Sequence, residues 1–129
     1  MDRRPGPYLG RLEIPAADPV RAGRFFARVF GWRTRAVDSP GAPYLDLHDG
    51  RSGERTGAAA GLATPGTLGT AQPLPVIHIE NEPLVGVLER IAEAGGTIDL
   101  APRKIAGHGT FARFRDPEGN LFGLWQPGS

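Results

Sequence analysis

The chain has 129 residues, 15 Lys plus Arg against 14 Asp plus Glu, 19 Gly, 13 Pro and no Cys. A net charge of +1 with interspersed signs offers no basic stripe for phosphates, so nucleic acid is not an expected partner, and no apolar run approaches the roughly 18 residues that span a bilayer. Without cysteine there is no disulfide framework, thiolate metal site or thiol nucleophile, which leaves His, Glu, Asp, Arg and Tyr to carry any chemistry.

Residues 1–7 carry Arg3, Arg4 and two prolines with no apolar stretch behind them; they read as a frayed tail, and the cytoplasm is the expected compartment. Leu9–Ile14 then predicts a strand. Asp18-Pro19 opens an amphipathic helix in which Ala22, Phe25, Phe26, Val29 and Phe30 recur at helical spacing before Gly31 stops it. Asp18 suits the N-cap, and Pro19 suits the first helical position, where its missing N–H costs nothing. Three strands are expected next, at Trp32–Val37, Pro43–His48 and about Thr56–Ala63.

The stretch 64–73, rich in Gly, Thr and Pro, reads as a linker. Beyond it the pattern returns. Leu74–Glu80 predicts a strand, and Glu82-Pro83 opens a helix with Leu84, Val87, Leu88 and Ile91 on one face, ended by Gly95-Gly96. Strands are expected at Thr97–Ala101, Thr110–Arg115 and Leu121–Gln126, the last two joined by the turn Asp116-Pro117-Glu118-Gly119-Asn120. The helix openings and stops recur at a constant offset of 64 residues, so the chain is an internal repeat. Module one spans 8–63 and module two 74–126, within a single domain of 8–126. Neither module can bury both its sheet face and its helix alone. The expected fold is therefore α+β: two βαβββ modules forming a curved, partly open, barrel-like sheet with the helices outside and a cleft on the inner faces.

Three segments carry a family resemblance: Asp18-Pro19 through Phe25-Phe26 to Phe30-Gly31-Trp32; Ala94-Gly95-Gly96-Thr97; and Phe114-Arg115-Asp116-Pro117-Glu118-Gly119-Asn120. With the repeat, they make the chain resemble the vicinal oxygen chelate superfamily, which includes glyoxalase I, bleomycin-resistance proteins and extradiol dioxygenases. The resemblance runs from about Leu9 to Gln126 and implies a glyoxalase-like fold and a homodimer. Its motifs are a cap, a helix stop and a hairpin turn, and they specify no reaction. Metal-dependent members place a His or Glu on each strand that opens or closes a module. Carried over, those positions fall at Arg11, at or beside Val76, at Gly123, and in the stretch 57–63, which holds only Gly, Ala and Leu. None of these side chains can ligate a divalent cation, and Arg11 would repel one. No cofactor is expected, and a divalent metal is disfavoured.

Strand alternation puts Glu13 on the face of Arg11 and His78 on the face of Val76. Glu13 and His78 are thus the catalytic candidates, expected to project into one cleft as a base and acid pair, with Arg11 stabilising negative charge; the alternative is a buried polar cluster whose members satisfy each other. Arg11 again, Arg113, Trp125 and His108 are the ligand-binding candidates. Beside each of the last three stands a structural role: surface ion pairing for Arg113, core filling for Trp125, an exposed loop for His108. Trp32 and Tyr44 read as core or half-buried residues and His48 as an exposed turn residue. Ser occurs only at 39, 52 and 129, which disfavours a serine nucleophile. The expected function is binding of a small organic molecule in the cleft. Metal-independent proton transfer of the lyase or isomerase type comes second, and a metal-dependent glyoxalase or dioxygenase third.

Overall fold

The computed structural model describes residues 6–37, 44–51, 58–64 and 72–128. Most of the expected tail and linker, with Pro43 and residues 56–57 of the expected strands, lie outside them. The elements are β1 (Tyr8–Pro15), α1 (Pro19–Phe30), β2 (Arg33–Val37), β3 (Tyr44–His48), β4 (Ala60–Ala63), β5 (Leu74–His78), α2 (Leu84–Glu93), β6 (Thr97–Ile105), β7 (Gly109–Arg115) and β8 (Leu121–Pro127). They form two compact units, Gly10–Leu74 and Pro75–Ser129 with Met1–Leu9. In the first, the strands run β2-β3-β4-β1; in the second, β6-β7-β8-β5. Each unit pairs its opening and closing strands in parallel and its other strands antiparallel. The repeat read from the sequence is thus a repeat of topology. No helix among the described residues is long and apolar enough to cross a membrane.

In the first unit, Leu47, Ala60 and Leu62 are buried, with Ile14, Leu45, Trp32 and the helix residues Ala22 and Phe26 packed on them. Alternation then sends Arg11, Glu13, Gly61, Tyr44 and Asp46 to the face opposite α1. Asp18 caps α1 as expected, accepting from the Arg21 N–H at 3.1 Å, and Gly31 closes it with a φ of 74°. The apolar face of α1 is only partly used. Phe25, Val29 and Phe30 are 58%, 52% and 57% exposed. The reason lies at Gly23, where an added Cβ would stand 2.7 Å from the Thr34 methyl. The helix lies on the sheet through Ala22, Gly23 and Phe26, so a stripe wider than that contact leaves one flank in solvent.

In the second unit, Ile79, Leu84, Val87, Ala112 and Leu124 are buried, with Ile77, Leu88, Ile91 and Phe114 around them. His78, Trp125, Phe111, Gly123 and Arg113 consequently face away from α2. Two boundaries differ from the expectation. Pro83 occupies the N-cap of α2 with no side-chain hydrogen bond, while Glu82 pairs with Arg90 at 2.6 Å. β6 continues past Ala101 to Ile105 because it is the outermost strand of its unit and its register shifts between Leu100 and Arg103, which accommodates Pro102.

Candidate functional site

The first unit assembles a polar cluster on the face opposite α1. Glu13 and Asp46 are both register partners of Gly61, on either side of β4. Side chains from β1 and β3 stand two strand spacings apart, roughly 9–10 Å, and ordinarily would not meet. Here they lean across a strip of β4 that carries only Gly61 and Ala63. The Tyr44 hydroxyl reaches the two Glu13 carboxylate oxygens at 3.0 and 2.9 Å, and the Arg11 guanidinium donates to Asp46 at 2.7 Å. Gly61 makes this contact possible: a Cβ there would overlap the Tyr44 hydroxyl and lie 2.5 Å from Glu13 Oε2. The guanidinium carbon of Arg11 also stands 5.4 Å from the Tyr44 ring centroid.

Electrostatics in the cluster follow from burial. Loss of water pushes the Glu13 carboxyl up to about 7, against the pull of the Arg11 charge and the Tyr44 hydrogen bond; nearby Asp46 adds to the rise. Burial likewise lifts the Tyr44 phenol far above its ordinary range, helped by the Glu13 charge. For Arg11, burial acts to lower the value, and Tyr44, Asp46 and Glu13 together outweigh it, so the guanidinium stays charged. Its Nε is buried with no acceptor among the described residues. The cluster therefore holds a fixed ion pair, a phenol, and a carboxyl poised to carry or release a proton near neutral pH.

His78 lies in the second unit, 5% exposed. Its ring centroid is 5.6 Å from that of Tyr8, whose hydroxyl donates to Glu80. Its register partner is Trp125, which in turn pairs with Phe111. Trp125 is half-buried, and its ring covers Gly109, where a Cβ would come within 2.8 Å. Arg113 meets Asp99 at 3.1 Å, with Arg115 at 3.6 Å on the other carboxylate oxygen. His108 is exposed in the β6–β7 turn, where its carbonyl accepts from the Gly128 N–H at 3.0 Å. His48 ends β3 half-buried and not exposed, because it is the register partner of Arg33 within the ladder. Trp32 stacks on Phe26 at 5.5 Å, a core role.

Of the expected site residues, the structure brings Arg11 and Glu13 together on one strand face and sets His78, Trp125 and Arg113 on one face of the second unit. Tyr44, Asp46 and Gly61 are the members that sequence reading missed. Their signal was the alternation of Tyr44 and Asp46 opposite a strand face without side-chain bulk. The positions to which the resemblance assigns metal ligands do not fit a cation. Arg11 is already ion-paired, Val76 and Gly123 face each other across β5 and β8 with no donor atom, and β4 contributes only alanine, glycine and leucine. Among the described residues, no three His, Asp or Glu side chains gather as a metal site would require. The turn Asp116–Asn120 is structural. The Asp116 carboxylate accepts from the Glu118 and Asn120 backbone N–H groups and from the Asn120 amide, which hold it below the usual carboxylate range.

Comparison with known proteins places these features in context. The anthracycline biosynthesis protein DnrV of Streptomyces peucetius is 25% identical over 91% of this chain and 46% of that protein, so the chain spans about half the length of this curated relative. Among solved structures, methylmalonyl-CoA epimerase from Mycobacterium tuberculosis superposes with a TM-score of 0.65 at 16% identity, covering 94% of this chain and 88% of that one. A hypothetical protein from Bacillus halodurans C-125 superposes with a TM-score of 0.67 at 14% identity, covering 95% and 96%. At these identities the structural likeness shows the glyoxalase-type α+β fold alone. The family profile matches residues 8–124, and the chain belongs to the glyoxalase/bleomycin resistance protein/dioxygenase superfamily.

Proposed function

We propose that the chain binds a small organic molecule against the Arg11, Glu13, Tyr44 and Asp46 cluster, and does so without a metal ion. The observation that carries this reading is the Glu13 carboxyl, pushed up to about 7 and held by a neutral phenol on a sheet face that no helix of its unit covers. Protonated, it donates to a carbonyl oxygen; ionised, it accepts from a hydroxyl. Arg11 adds a fixed positive charge. The relative named for anthracycline biosynthesis makes a hydroxylated anthraquinone the first probe to try.

A second reading is favoured by the same carboxyl. A base is most effective when its pKa lies near the working pH, and Glu13 meets that condition. In this reading Glu13 takes a proton from a carbon beside a carbonyl, and Arg11 stabilises the charge that develops on the oxygen. The test is a thermal-shift titration with a hydroxylated anthraquinone. Binding should weaken by about tenfold or more, roughly 1.4 kcal/mol, in Arg11→Ala and in Glu13→Ala, and stay unchanged in Glu118→Ala, an exposed turn residue outside the candidate site. Equal affinity in all four proteins would remove the cluster from the site.

A further inference from the structure

The Tyr44 side chain reaches across from β3 to hydrogen-bond Glu13, and it does so in the manner of a bound ligand. Its hydroxyl donates to a carboxylate whose two oxygens stand at 3.0 and 2.9 Å, its outer end lies over the bare backbone of Gly61, and a guanidinium stands 5.4 Å from its ring centroid. Asp46 holds that guanidinium in place at 2.7 Å. These are the elements of a seat for a hydroxylated aromatic ring: an acceptor for the hydroxyl, a floor without side-chain bulk, and a cation beside the ring. We infer that Tyr44 is an internal occupant of the ligand's own seat, and that the seat is built for a phenolic hydroxyl. The inference rests on the reading that ligand meets Glu13, and it names the ligand's chemistry.

Exchange is what makes the arrangement workable. Swinging Tyr44 out loses one hydrogen bond to Glu13 and one ring contact with Arg11. An incoming phenol restores both, so the net cost of displacement is small compared with uncovering an empty polar site. A ligand lacking the hydroxyl leaves the Glu13 carboxyl without the donor it had, which disfavours it.

The experiment is a calorimetric titration of wild type and Tyr44→Ala with p-cresol, toluene and 4-methylanisole. p-Cresol should bind Tyr44→Ala at least about tenfold more tightly than wild type and raise its melting temperature, whereas toluene and 4-methylanisole should gain less than p-cresol by a similar factor. An equal gain for toluene would mean an apolar hole and overturn the inference, as would the absence of any gain for p-cresol. Should Tyr44→Ala fail to fold, wild type with ring-labelled tyrosine settles the matter by NMR. Saturation with a hydroxylated anthraquinone should move the Tyr44 ring resonances, and unmoved resonances contradict the displacement. Binding that depends on Glu13 but leaves Tyr44 in place refutes this inference while sparing the functional reading; binding indifferent to Glu13 refutes both.

Discussion

Glu13 ties the stability of the protein to pH. Its carboxyl sits near 4.3 in an unfolded chain and is pushed up to about 7 in the fold by burial. Below about pH 4 both states hold the proton, and the contribution of Glu13 is fully present. As pH rises toward 7 the unfolded chain releases its proton first, so stability falls, by at most about 4 kcal/mol, and levels off above the folded value. Glu13→Gln should flatten this slope and make the variant more stable than wild type at pH 8, as read by urea unfolding between pH 4 and 9. A wild-type curve that instead rises across this range would contradict the burial argument. Arg11 and Glu13 were legible in the sequence because period-two alternation fixes which side chains share a face. Tyr44 and Asp46 were not. They reach Glu13 and Arg11 from a strand two places away, and which strand lies beside which is a property of topology that no local pattern encodes.

At the scale of elements, α1 separates what periodicity reveals from what packing decides. Five apolar residues at helical spacing announced the helix, and Asp18 and Gly31 fixed its ends. Which of the five touch the sheet depends on Gly23 lying against Thr34, a contact invisible in the sequence. Phe26, stacked on Trp32 and packed on the Leu47, Ala60 and Leu62 core, should cost about 3 kcal/mol when changed to alanine. Phe25, 58% exposed, should cost less than about 1 kcal/mol. Denaturant midpoints of the two variants check the pair, and equal losses would show that α1 sits differently. β6 shows the converse: Pro102 reads as a strand breaker, yet an edge position and a register shift let the strand run on.

Over the whole molecule, the two units repeat one topology while their chemistry has diverged. The first gathers a carboxyl, a phenol and an ion pair over a strand of small residues. The second places a buried histidine beside tryptophan and phenylalanine. The fold was legible because caps, stops and a turn recur at one spacing. The polar cluster was not, because the sequence shows neither where Tyr44 rests nor what Gly61 leaves room for. The positions to which the resemblance assigns metal ligands hold Arg11, Val76 and Gly123, and the proposed function therefore dispenses with a cation. Calorimetric titration of chelator-treated protein with a hydroxylated anthraquinone tests this most directly. Affinity unchanged by the chelator, and unchanged again when Zn²⁺, Mn²⁺ or Ni²⁺ is restored, is the expected result; binding that vanishes with the chelator and returns with a metal would contradict it.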